Sequence, residues 1–255
     1  MLTPLLLTTA AGLSTGLGGL IAALFCPTAK FLSFCSGFAG AVMLTVSLTD
    51  LTPELLDFYG TQLPGTESGT AVAALLLGGM AAARLLASAL PDEEALAARL
   101  GSGTQAAAMR TALVTGVALL LHNLPEGILT LLTGVSDPQL GMRTALAIAL
   151  HNIPEGLAVA VPFACATGSR AKGAAAALLS GLAEPVGALL AALLLAPLLS
   201  QGLVYGMIAV VAGIMLWVVA VQLLPTALEP TWRKTGIAGF CVGMLTMILG
   251  IAALR

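Results

Sequence analysis

Two hexapeptides of one pattern carry the densest chemistry in the chain. They are "HNLPEG" (122–127) and, twenty-nine residues later, "HNIPEG" (151–156). Together they hold both histidines of the 255-residue sequence. His122 and Glu126 stand four residues apart, so on a helix an imidazole and a carboxylate face the same way, one turn apart. His151 and Glu155 repeat the spacing. Asn123 and Asn152 are turned about 100° from their histidines and face a neighbouring helix or a second site. Pro125 and Pro154 lack an N–H, which frees the carbonyls of Leu121 and Leu150 and bends each helix. If the two motifs face each other, two imidazoles and two carboxylates converge. That nitrogen and oxygen set suits zinc, iron(II), cobalt, nickel or manganese, and not thiolate-seeking copper(I).

The surroundings of these residues are apolar. Hydrophobic residues make up 58% of the sequence and charged residues 9%, with a mean hydropathy of +1.03 and a net charge of −2. A soluble domain is about 25% charged, so the composition predicts an integral membrane protein. Abundant Gly and Ala suit close helix contact in lipid. Spans of about 20 apolar residues are needed to cross the hydrocarbon. Eight are expected, at about 3–25, 31–56, 69–90, 111–133, 142–166, 173–199, 203–227 and 235–254. Apolarity without two-residue alternation favours helices over barrel strands. The whole of 1–255 reads as one all-α transmembrane domain. "EEALAARL" (93–100) is expected to form a short solvated helix.

Glu126, Glu155 and a third carboxylate, Glu184 in "SGLAEPVGAL", all fall inside predicted spans. Left charged and unpaired, three such groups would cost on the order of 8–10 kcal/mol. No Lys or Arg lies at similar depth, so they need protons, water or a bound cation. One divalent ion leaves a net −1 and two leave +1, so charge permits either number. Pro185 frees the carbonyl of Gly181, and Ser180 lies one turn before Glu184. Asp50 and Glu54, in "SLTDLTPELL", form another four-residue pair at the outer end of the second span. They are either a solvated helix end or a metal-attracting entrance.

Other classes fit poorly. No basic patch points to nucleic acid. Cys26, Cys35, Cys165 and Cys241 are far apart, without CxxC spacing, and read as small apolar core residues. The first residues lack a basic stretch, so no cleaved signal peptide is expected. Intramembrane metalloenzymes want an open metal position and a base, but no HExxH occurs and the Glu-x-x-His order of di-iron bundles is reversed. No prosthetic cofactor is implied.

At these residues the sequence resembles the ZIP divalent-metal transporters, most closely their bacterial ZupT-like branch. "HNIPEGLAVAVPFACATGSR" continuing to "LLSGLAEPVGALL" is similar to that branch almost throughout. The resemblance implies a helical bundle in which helices 1–3 and 6–8 form an inverted repeat around 4 and 5. It implies import of zinc, with iron, manganese, cobalt and cadmium as further cargo, into the cytoplasm across the inner membrane. A binuclear site is implied: His122, Glu126, His151 and Glu155 for one ion, and Asn123, Asn152 and Glu184 for another, with Glu126 and Glu155 as bridges. Homodimers, elevator-like movement of spans one, four, five and six, and an entrance role for Asp50 are also implied. The chain departs from the family in lacking a His-rich loop at 91–110. It also has Val221 and Gln222 where acids often precede "LLP", so Gln222 is either a weak neutral ligand or a packing residue.

Lys30, Arg84, Arg99, Arg110, Arg170, Lys172, Arg233 and Lys234 fall on one side of the eight spans, and Arg143 and Arg255 on the other. The positive-inside rule therefore predicts both termini outside the cytoplasm. Reporter fusions at the two termini are expected to be inactive for a cytoplasmic reporter. Activity at either end would overturn this topology.

Overall fold

The computed structural model describes residues 2–25, 28–91, 93–100, 103–136, 138–195 and 200–254, which leaves Cys26 and Arg255 outside the described residues. In chain order the helices are α1 (Leu2–Phe25), α2 (Ala29–Thr45), α3 (Thr52–Gln62), α4 (Glu67–Ala89), α5 (Glu93–Leu100) and α6 (Gly103–Ser136). There follow α7 (Pro138–Thr167), α8 (Arg170–Gly181), α9 (Ala183–Leu190), α10 (Gln201–Val218), α11 (Leu224–Ala227) and α12 (Arg233–Leu254). The all-helical expectation holds among the described residues.

Several connections expected as loops are shorter, because helices run past the apolar segments. The second span reaches Gln62, and α6 starts at Gly103 rather than near 111. Polar residues at the ends of a span keep helical hydrogen bonding after hydropathy has fallen. Seven described stretches are long and apolar enough to cross a membrane: Leu2–Phe25, Ala29–Gln62, Glu67–Ala89, Ala106–Leu132, Thr144–Thr167, Arg170–Leu193 and Gln201–Ala227. The last expected span lies within α12, whose 22 residues extend roughly 33 Å.

Prolines near the ends of the spans change the helix type rather than stopping the chain. Val46–Leu51 and Val219–Leu223 are π-helical, and each is followed within two residues by a proline, Pro53 and Pro225. The widened turn is closed by the N–H groups of Thr52 and Leu224, bonded to Ser47 and Val219. This local rearrangement re-satisfies backbone near a proline. Pro125 and Pro154 lie inside continuous α6 and α7. At Pro185 the helix is interrupted only by the turn residue Leu182 between α8 and α9, whose backbone stays in the α region.

The bundle divides into two sets. In one, α1 packs on α7 and α8, α6 packs on α7 and α9, and α7 packs on α8. In the other, α2 packs on α12 and α4 packs on α10. Exchanging α1 with α8–α9, α2–α3 with α10–α11, α4 with α12 and α6 with α7 maps the pair α1–α7 onto α9–α6, and α2–α12 onto α10–α4. The π segments before Pro53 and Pro225 are exchanged as well. This is the inverted-repeat arrangement.

Glycine sets the closeness within each set. A Cβ on Gly18 or Gly156 would collide with the backbone of Ile153 or Thr15. On Gly127 or Gly187 it would strike the backbone of Glu184 or Leu124. In the other set the same is true of Gly213 against Leu76, and of Gly239 against Phe34. Between the sets the contact is made by side chains instead, including Leu119, Leu157 and Val159 on one side and Met43, Met215 and Val218 on the other. The cysteine expectation is corrected in part: Cys35 is buried, but Cys165 and Cys241 are exposed. A thiol is apolar enough to sit on the outer surface of such a bundle.

Replacing Gly156 with Val is expected to destabilise the fold by about 1–3 kcal/mol, because the clash is with backbone that cannot move aside. Gly60, with nothing within 4 Å of a built Cβ, serves as the control. The check is thermal unfolding in detergent, where Gly156→Val melts lower and Gly60→Ala does not.

Candidate metal centre

His122 and Glu126 come from α6, His151 and Glu155 from α7, and Glu184 from the start of α9. All five are buried. His122 Nε2 lies 3.2 Å from Glu126 Oε1, one turn on along the same helix. His151 Nε2 also lies 3.2 Å from Glu126 Oε1, across the helix pair. His122 Nε2 is 3.8 Å from Glu155 Oε1. Glu126 thus sits between the two imidazoles, and each motif is tied to the other. Ligand atoms of His122, His151 and Glu155 all lie within 4.8 Å of one another. A single divalent ion placed among them is within easy reach of all three.

The asparagines turn to the other side, as the 100° offset requires. Asn123 Nδ2 donates to the carbonyl of Ser180 at 3.2 Å. Asn152 Nδ2 donates to the carbonyl of Ala11 at 3.0 Å and to Glu184 Oε1. Each amide therefore stitches a motif helix to a helix of the inverted repeat, and Asn152 brings Glu184 to the cluster.

Many acceptors here have no hydrogen-bond partner among the described residues. They include both oxygens of Glu155, Oε2 of Glu126 and of Glu184, and the Oδ1 atoms of Asn123 and Asn152. His122 Nε2 is at ion-pair distance from Glu126 yet lacks hydrogen-bond alignment. In protein interiors roughly nine in ten buried polar groups are partnered. A concentration of orphaned oxygen and nitrogen lone pairs, with no Lys or Arg paired to these acids among the described residues, is a donor set compatible with a cation.

Gln222 stands apart from this cluster. Gln222 Oε1 accepts a hydrogen bond from the hydroxyl of Thr115. Thr115 lies seven residues before His122 on the same face of α6, so the pair sits two turns from the histidine. This contact joins the two helix sets. Asp50 belongs by its backbone to the π-helical Val46–Leu51, and its side chain lies outside those described. Its companion Glu54 accepts from the Tyr205 hydroxyl at 3.3 Å, and Tyr205 stacks on Phe58.

A buried histidine–carboxylate cluster that could hold a metal ion, within membrane-length helices, defines a polytopic membrane protein. The comparisons with known proteins agree. Residues 86–254 match the family model described as ZIP zinc transporter. A protein named zinc transporter ZupT from Corynebacterium glutamicum is 42% identical over 254 residues, spanning 96% of each chain. Relatives of the same name from Chlorobium limicola and Streptococcus mutans are each 38% identical over 258 residues, spanning 98% of this chain and 97% of theirs. The chain belongs to the ZIP zinc transporter family, and it is a transporter rather than an enzyme.

Asn152→Leu removes the donor to Ala11 and to Glu184 while keeping the side chain's size. The Ala11 carbonyl keeps its bond from Ser14 Oγ, but leaving the buried Glu184 oxygen unsatisfied is expected to cost about 1–3 kcal/mol. A lowered melting temperature in metal-free detergent solution, with Asn152→Asp less affected in metal-saturated solution, is the expected result.

Proposed function

We propose that this protein imports divalent transition metal, zinc first, into the cytoplasm through a two-ion intramembrane site. The observation that carries this reading is the meeting of His122 and His151 on Glu126. His122, Glu126, His151 and Glu155 hold one ion. Asn123, Asn152 and Glu184 hold the other, with Glu126 and Glu155 bridging. Iron, manganese, cobalt and cadmium are accepted by the same nitrogen and oxygen donors, since affinity order does not by itself select one. Zinc is put first because the relatives named above are called zinc transporters.

Two ions on three carboxylates leave a net +1, so binding is firm enough to enter and weak enough to leave. The glycine contacts support an elevator-like movement. They bind α1, α6, α7 and α8–α9 into one unit and α2–α3, α4, α10–α11 and α12 into another. The larger apolar side chains between the units form a surface that can slide. Thr115 and Gln222 form a neutral polar link across that surface, and Asp50 with Glu54 marks the outer approach. The protein is read as an eight-span homodimer of the inner membrane with both termini outside.

Zinc uptake into cells or proteoliposomes tests the site. His151→Ala and Glu155→Ala are each expected to reduce uptake at least about tenfold, since each removes a direct ligand and ligand-shell losses cost roughly 10–100-fold. Unchanged zinc and iron uptake in both variants would show that the assignment is wrong. Competition among several divalent ions at two pH values then ranks the cargo and reveals any proton coupling.

A further inference from the structure

The inverted repeat pairs Glu184 on α9 with a residue of α1. Gly12 and Gly181 are in mutual backbone contact: a Cβ on either would strike the carbonyl oxygen of the other. From that pair outward the two helices correspond step for step. Gly18 is closed against Ile153 as Gly187 is closed against Leu124, each six residues on from the central glycine. Asn152 donates to the Ala11 carbonyl as Asn123 donates to the Ser180 carbonyl, each one residue before it. Gly156 lies on the backbone of Thr15 as Gly127 lies on the backbone of Glu184, each three residues on. "GLSTGLG" (12–18) and "GLAEPVG" (181–187) therefore run as counterparts, and Thr15 holds the place in α1 that Glu184 holds in α9.

The state of the Thr15 side chain is unusual for this chain. Thr8, Thr9, Thr45, Thr49 and Thr226 each return their hydroxyl to the carbonyl four residues back. Thr15 does not. The carbonyl it would use, Ala11, is already taken by Ser14 Oγ at 2.6 Å and by Asn152. The Thr15 hydroxyl is completely buried and has no partner among the described residues. It lies beside Gly181, next to Ser180, whose hydroxyl is likewise buried and unpartnered.

We propose that Thr15 is a ligand of the second ion, supplied by α1. With it the second subsite consists of oxygen alone: the Thr15 hydroxyl, the amide oxygens of Asn123 and Asn152, and carboxylates, with the Ser180 hydroxyl alongside. The first subsite has two imidazoles. Imidazole suits zinc, whereas an all-oxygen set with neutral members suits a harder ion such as manganese. The two subsites thus differ in preference because only the first holds imidazoles, and the Thr-for-Glu difference between the repeats leaves the second with one carboxylate fewer. This inference rests on the two-ion reading given above.

The experiment uses the full chain in detergent, loaded with one equivalent of zinc and titrated with manganese by electron paramagnetic resonance. The wild type is expected to take up one manganese ion. Thr15→Val, which keeps the shape and loses the hydroxyl, is expected to weaken manganese binding about 10–100-fold while retaining zinc. Thr15→Ser is expected to restore it. Manganese bound by Thr15→Val as tightly as by the wild type overturns the role of Thr15. Loss of both metals in Thr15→Val and Thr15→Ser together, with a lowered melting temperature, overturns it in favour of packing. A wild type that binds no ion beyond the first zinc instead overturns the two-ion reading itself.

Discussion

Glu126 lies between two imidazoles in a bundle whose other buried acids, Glu155 and Glu184, have no Lys or Arg beside them among the described residues. An ion buried in an apolar medium must be compensated nearby or not exist as an ion. Two histidines cannot neutralise three carboxylates, and the cluster is compatible with a cation that would offset the remaining charge. Much else follows from that requirement. The donors must come from separate helices at one depth, and the helices must approach until short side chains meet. The glycine that closes each hexapeptide does this: Gly127 admits α9 and Gly156 admits α1.

Close packing by glycine also separates what is rigid from what can move. Helices joined backbone to backbone cannot rotate or slide without losing many small contacts at once. Helices joined through leucine, valine and methionine side chains can shift with modest changes of rotamer. The clustered histidines, asparagines and glutamates all lie on helices of the first kind. The π-helical turns before Pro53 and Pro225 lie in the other set and keep long spans continuous across proline.

The two repeats correspond closely around the centre but differ at one position. Each repeat brings a helix to the centre at a glycine pair, and each motif asparagine reaches the carbonyl before that glycine. The fourth residue on then differs: Glu184 adds a charge, whereas Thr15 adds a neutral oxygen. A second carboxylate there would leave a four-acid centre more negative by one and hold cations more tightly, which opposes release.

Much of this was legible from residue types alone. Apolar run lengths placed the helices, because lipid leaves backbone groups no partner except the helix itself. The i, i+4 spacing put His122 over Glu126, and the 100° offset sent the asparagines elsewhere. These are local rules, and they held. Helix ends were less legible, since polar termini continue a helix that hydropathy no longer marks, and the outward-facing Cys165 and Cys241 show that composition does not assign a face. Only the tertiary structure decided that His151 meets Glu126 of the other motif, that Gln222 meets Thr115 rather than the histidine cluster, and that α1 brings Thr15 against Gly156 and Gly181. Each of these depends on the relative height and rotation of helices far apart in the chain. Those quantities are set by glycine-to-backbone contacts between helices, which no single helix's sequence contains.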